Sequence, residues 1–152
     1  MGTTYHVTLV ADQPAPDDLA EQIEQLLNVV DRSMSTYRED SEISTFNQIP
    51  PHQQQTISNE FAQVLSVSQQ VWQQTNGAFD PTVGPLVDLW GFGPVPTDDV
   101  VPDDSLIQLA LENVGFGSVV LDASTLIKTK PLSLDLSAVA KGYAVDQVAD
   151  LL

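Results

Sequence analysis

Cysteine is absent, which rules out a disulfide framework, a thiolate metal site and a cysteine nucleophile. Positive charge is nearly absent as well. Five cationic side chains, Arg32, Arg38, Lys128, Lys130 and Lys141, stand against 21 Asp and Glu, for a formal net charge of −16. A field of that sign repels phosphate at long range and argues against nucleic acid or an anionic membrane surface as partner. Any anionic ligand must be met by one of the five cations, by a helix N-terminus or by a metal ion. No apolar run approaches the ~18 residues of a membrane span. No basic-then-apolar leader opens the sequence, so it shows no export signal. His6 and His52 lie far apart without ligand spacing and read as a strand-surface and a loop residue.

The 152 residues, 42% of them hydrophobic, suffice for one domain with a core. Residues 4–10 alternate, with Tyr5, Val7 and Leu9 on one face, and predict a half-buried strand. Over 17–34 apolar residues recur at threes and fours, an amphipathic helix with Asp17 or Asp18 as its N-cap. A loop leads to a short helix at 43–46, and the Gln-rich stretch after Pro50-Pro51 reads as exposed and polar. Ser58 caps a helix through 75 that Asn76-Gly77 stops, and another helix is expected at 105–114. The acidic run with Asp98, Asp99, Asp103 and Asp104 reads as a solvated connection. Short strands are expected at 119–122, 126–129 and 132–136, and a helix from 137 to the last residue. Neither an internal repeat nor an interdomain linker is visible.

The densest chemistry lies at 76–93, Asn-Gly-Ala-Phe-Asp-Pro-Thr-Val-Gly-Pro-Leu-Val-Asp-Leu-Trp-Gly-Phe-Gly. Its glycines permit close backbone approach while Pro81 and Pro85 fix φ. Two readings stand: a packed connection whose aromatics plug the core, or a loop shaped around a ligand. Asp80, held extended by Pro81, serves either as acceptor for a ligand or as cap of a short helix near Thr82. Tyr37, beside Arg38 at the end of the first helix, either stacks on a planar ring or packs on its own helix. At the strand-to-helix junction around Ser137, free N–H groups and the helix dipole favour an anion. Lys141, one turn in among Ala138, Ala140 and Gly142, is then either a phosphate contact or a solvent-facing helix lysine. The glycine spacing of a Walker loop is missing.

Four blocks in order, spanning nearly the whole chain, resemble the ApbE family of FAD:protein FMN transferases. They are Met1-Gly2-Thr3-Thr4-Tyr5; Met34-Ser35-Thr36-Tyr37 with Asp40-Ser41-Glu42-Ile43-Ser44 and Phe46-Asn47; the 76–93 run; and Asp135-Leu136-Ser137-Ala138-Val139-Ala140-Lys141-Gly142-Tyr143-Ala144-Val145-Asp146. The resemblance implies an α+β, T-fold-related domain, an antiparallel sheet with packed helices, of which 1–152 is the N-terminal part. By family position Met1 and Tyr37 meet the isoalloxazine, and Ala78, Phe79 and Asp80 hold FAD. Ser137 and Lys141 lie towards the phosphates, Asp146 faces the nucleotide end, and the Ala140 carbonyl contributes to Mg²⁺.

The implied reaction is Mg²⁺-dependent transfer of FMN from FAD to a threonine hydroxyl of an acceptor flavoprotein of the redox-pump subunit type, with release of AMP. Hydrolysis of FAD to FMN and AMP is the alternative at the same site. A flavin-binding fragment without chemistry and a structural α+β domain are the alternatives from other classes. The family's later blocks, G-G-D, H-x-x-D-P-x-T-G and the Asp/Thr pair of the Mg²⁺ site, have no counterpart here. The expectation is a fragment whose second half is carried on another chain. Family analogy places it in the periplasm or tethered to the inner membrane.

Overall fold

The computed structural model describes residues 4–94 and 101–152. Met1 of the expected flavin site and Asp98 and Asp99 of the acidic run lie outside the described residues. Helices α1 (Leu19–Met34) and α2 (Glu42–Gln48) come first, then strand β1 (Gln54–Thr56) and helices α3 (Asn59–Gln74), α4 (Gly84–Leu89) and α5 (Asp104–Glu112). Strands β2 (Val119–Asp122) and β3 (Thr125–Lys128) form a hairpin, and α6 (Ser137–Leu151) closes the order. Among the described residues the strands make one antiparallel sheet in the order β1-β3-β2, with Gln55 opposite Leu126 and Leu121 opposite the same residue on the other side. Mixed helix and antiparallel sheet is the expected α+β architecture.

The apolar spacing of α1 and α3 converts directly into packing. Val30 and Met34 from α1, Phe61, Val64 and Leu65 from α3, and Ile43 and Phe46 from α2 meet Leu126 of the sheet and Ala140 and Ala144 of α6 in one core. Each fully buried Leu, Ile or Phe contributes roughly 1.5–3 kcal/mol of transfer free energy. Ser58 caps α3 as expected, its hydroxyl accepting from Phe61 N at 3.2 Å, and Asn76 and Gly77 take positive φ just beyond the helix. Asp18 stands at the N-cap of α1, but its side chain makes no capping hydrogen bond.

Two expectations are corrected and one stretch holds an unforeseen strand. Residues 4–10 are not in a strand: among the described residues nothing offers the segment a ladder, and it is exposed along its whole length. The Gln-rich stretch is largely exposed as expected, but it also holds a strand that nothing in the sequence marked: Gln54–Thr56 pairs with β3, where backbone pairing outweighs the polarity of its side chains. Residues 132–136 do keep the period of a strand, with Leu132, Leu134 and Leu136 buried, but they join no sheet. Their backbone is bonded instead to the Asn47 side chain, through Leu134, and to the Pro81 carbonyl, which accepts from Asp135 N at 2.8 Å.

Lys128 is buried with no carboxylate partner among the described residues. Its ammonium donates to the carbonyls of Asn47 at 2.9 Å and Leu132 at 3.0 Å and lies 5.1 Å from the centre of the Phe46 ring. Burial pushes its pKa below the usual lysine value, the three contacts notwithstanding.

Candidate functional site

The 76–93 run is anchored by Asp80. One carboxylate oxygen accepts from Thr82 N at 2.8 Å and from the Thr82 hydroxyl; the other accepts from Phe116 N at 3.0 Å. The Thr82 hydroxyl in turn accepts from Gly115 N at 2.7 Å, and Thr82 is fully buried. Asp80 therefore holds the loop to the turn before β2, and α4 starts two residues past Thr82. Asp80 does not cap the short helix as one of its two expected roles had it, since α4 has Val83 at its N-cap with no side-chain hydrogen bond; its contacts make it an intramolecular anchor instead. Ala78 is exposed and Phe79 half-buried at the head of this turn, with Phe79 N donating to the Thr75 hydroxyl at 3.1 Å.

The aromatics of the run do not plug the core. Trp90 is 45% exposed and Phe92 75% exposed, which overturns the packed-connection reading for this end of the loop. Tyr37 is likewise 60% exposed, with its hydroxyl 3.5 Å from the Phe92 carbonyl. Arg38 is not free to accompany a ring on Tyr37. Its guanidinium is bonded to Asp40 at 2.8 Å and lies 3.5 Å from Asp31.

Close to Tyr37, three separate stretches of the sequence line one cleft of about 190 Å³. Thr36, Ser44 and Asn47 come from the turn and helix after α1, Gly84 and Asp88 from α4, and Ser133 to Asp135 from the segment before α6. Gly84 is needed here: a Cβ would lie 3.2 Å from the Ser133 carbonyl oxygen. Gly93 is needed for a different reason, since a Cβ there would fall on the Asp88 carboxylate. Burial, then the charge of Asp135 across the cleft, push the Asp88 carboxyl above the usual carboxylate value. Asp135 also accepts from Ser137 N at 2.7 Å, so the first turn of α6 already holds a carboxylate.

Ser137 and Lys141 are exposed on α6, Asp146 is exposed further along it, and none of the three lines the cleft. Ala140 is buried in the second turn, where helical carbonyls are engaged by the ladder and keep one lone pair. Among the described residues no group of three or more His, Asp or Glu is placed to hold a metal ion.

The model of the ApbE family matches residues 1–152. The chain belongs to the ApbE family. Its whole length is 41% identical to the FAD:protein FMN transferase of Vibrio cholerae and 41% identical to that of Haemophilus influenzae, covering 46% of each. Among solved structures, the flavin transferase ApbE from Vibrio cholerae is similar with a TM-score of 0.87 at 39% identity, over 93% of this chain and 46% of that one. The apo Pseudomonas stutzeri flavinyl transferase ApbE follows the same backbone with a TM-score of 0.85 at 35% identity. This ApbE chain thus spans about half the length of the relatives it matches.

Residue-by-residue reading missed Asp88, Asp135, Asn47 and Thr82 as parts of the site. Asn47 and Asp135 stood within the family blocks, and Thr82 two residues after an Asp-Pro corner was a signal for an Asx-type turn. Nothing local marked Asp88, whose environment is created by chain segments distant in sequence.

Proposed function

We propose that this chain is the N-terminal part of a catalytic domain that transfers FMN from FAD to a threonine hydroxyl of an acceptor flavoprotein. In that reaction the threonine oxygen bonds to the FMN-side phosphorus and the pyrophosphate P–O bond breaks. AMP leaves, and the hydroxyl proton is taken up by a base outside the described residues. The observation that carries the reading is the convergence of three family blocks on one cleft, with exposed Tyr37 next in sequence to Thr36 of its lining and bonded to the Phe92 carbonyl. A planar ring system can stack on the exposed Tyr37 ring, and the cleft beside it suits the ribityl and phosphate groups.

Dependence on Mg²⁺ belongs to the proposal for the whole domain, because the described residues do not gather ligands for the ion. The same holds for the rest of the domain, on this polypeptide or a second chain, for an acceptor of the redox-pump subunit type, and for a periplasmic or membrane-tethered setting.

The test is mass spectrometry of a threonine-containing acceptor incubated with FAD, Mg²⁺ and the complete domain. Acceptor carrying covalent FMN, with AMP released one for one, supports transfer. Free FMN and AMP with unlabelled acceptor identify the hydrolytic reaction instead, and neither product identifies a flavin-binding module.

A further inference from the structure

The hydroxyl of Ser41 is fully buried and serves two structures at once. As N-cap of α2 it accepts from Ser44 N at 3.1 Å, which is all that capping asks of a serine. Its proton goes elsewhere. The Ser35 carbonyl at 2.7 Å and the Arg38 carbonyl at 3.0 Å share that one donor. Ser35 and Arg38 are the first and last residues of a turn, closed by Arg38 N donating to the Ser35 carbonyl at 3.4 Å. The two residues between them are Thr36, which lines the cleft, and Tyr37, which presents its exposed ring.

The other holds on this turn are weak. Its closing bond is long, and the ion pair of Arg38 with Asp40 lies at the surface, where water and salt reduce it. The bond from Ser41 is short and shielded from water. Ser58, the N-cap of α3, shows what a capping serine does without this second duty. It accepts from Phe61 N, and its hydroxyl otherwise meets only the hydroxyl of Ser33 at 3.4 Å among the described residues.

We infer that Ser41 is a positioning residue for the flavin: by holding both ends of the Ser35–Arg38 turn, it fixes the direction in which Tyr37 offers its ring and keeps Thr36 on the cleft wall. Being buried, it acts through the turn and not by contact with the ligand. The inference rests on the flavin reading of Tyr37 given above. Without the hydroxyl the turn takes up other arrangements, and the apparent affinity falls with the fraction of molecules still competent to bind.

The experiment titrates riboflavin and FAD against the complete domain as wild type, Ser41→Ala, Tyr37→Ala, the Ser41→Ala/Tyr37→Ala double variant and Ser58→Ala, with the melting temperature of each. Ser41→Cys repeats the Ser41 arm with a side chain that fills the space but donates poorly, in case the alanine variant does not fold. Ser41→Ala and Ser58→Ala should both lower the melting temperature, since each loses a cap. Only Ser41→Ala should weaken both flavins, by about fivefold, and in the Tyr37→Ala background it should add less than about twofold, because the ring it orients is gone. Wild-type affinity in the Ser41 variants, an equal loss in Ser58→Ala, or an undiminished loss in the double variant would each overturn the inference. Loss of affinity in Tyr37→Ala with none in the Ser41 variants overturns the inference alone and leaves the flavin reading standing. Unchanged affinity in Tyr37→Ala overturns both.

Discussion

The side-chain amide of Asn47 grips the main chain of Leu134 on both sides. Its oxygen accepts from Leu134 N at 2.8 Å and its nitrogen donates to the Leu134 carbonyl at 3.0 Å. One side chain thus does for residues 132–136 what a neighbouring strand does in a sheet, and it fixes the segment that carries Asp135 into the cleft.

Asn47→Ala leaves both groups of a buried residue unpaired. A lost partner costs about 1–3 kcal/mol per buried group, but the cleft lets water in beside Asn47, so a net loss of about 2 kcal/mol is expected. Asn47→Asp should be no better, because a carboxylate can accept from Leu134 N but faces the Leu134 carbonyl with like charge. Urea unfolding measures this as a lower midpoint at unchanged slope.

That pairing also shows where sequence reading reaches its limit. The period-two pattern at 132–136 named the residues that would be buried, but period alone does not say whether a ladder or a single amide satisfies the backbone. The same pattern at 4–10 occurs without burial. Helices α1, α3 and α6 were legible because apolar spacing, the Ser58 cap and the Asn76-Gly77 stop are local signals. Strand β1, three polar residues long, carries no such signal. In the site, Asp80 and Tyr37 were legible as residue types in informative surroundings. The approach of Asp88 to Asp135 was not, since it exists only once α4 and the segment before α6 are packed together.

Asp88 carries a testable cost. Its carboxyl titrates above 3.8 in the fold, chiefly through burial and then through Asp135, so between 3.8 and the raised value the folded state binds more protons than the unfolded one. Stability therefore falls as pH rises through that window, and the penalty is fully present at neutral pH. Asp88→Asn keeps the shape beside Gly93 and removes the charge. It should stabilise the protein at neutral pH by no more than about 1 kcal/mol, as befits a partly solvated pair, and the gain should vanish on acidification below the ordinary carboxylate value. Thermal unfolding of the two proteins across that range decides it; a pH-independent difference would show that Asp135 and burial are not the cause.

The exposed ring of Tyr37 predicts how flavin is recognised under the proposed function. Tyr37→Ala should weaken binding of both FAD and riboflavin in the assembled domain, by roughly 1–3 kcal/mol if the ring is stacked as nucleobases are on aromatic side chains. Tyr37→Phe should retain most of the affinity, because the hydroxyl makes only a long contact with the Phe92 carbonyl. Titration by flavin fluorescence separates the two variants. Equal affinities in all three proteins would remove Tyr37 from the flavin site.

Lys141 bears on how so acidic a protein accepts a diphosphate. Arg38 is bound to Asp31 and Asp40, Lys128 is buried on two carbonyls, and Lys130 holds the carbonyls of Glu112 and Val114. Of the five cations, that leaves Arg32 and Lys141 without a hydrogen-bond partner among the described residues. The start of α6 offers little in compensation, since Asp135 already occupies the Ser137 amide. Under the proposed function the phosphates must then depend on Lys141 more than on the helix end. Lys141→Ala should weaken FAD about tenfold, the lower range of a charge-assisted hydrogen bond for an exposed side chain, and leave riboflavin unaffected. No atom lies within 4 Å of where a Cβ would sit on Gly142, so a guanidinium has room and Lys141→Arg should keep most of the affinity. Isothermal titration of both flavins against the three proteins checks this. Equal losses for FAD and riboflavin would indicate a disturbed fold, and no loss for either would make Lys141 a solvent-facing helix lysine.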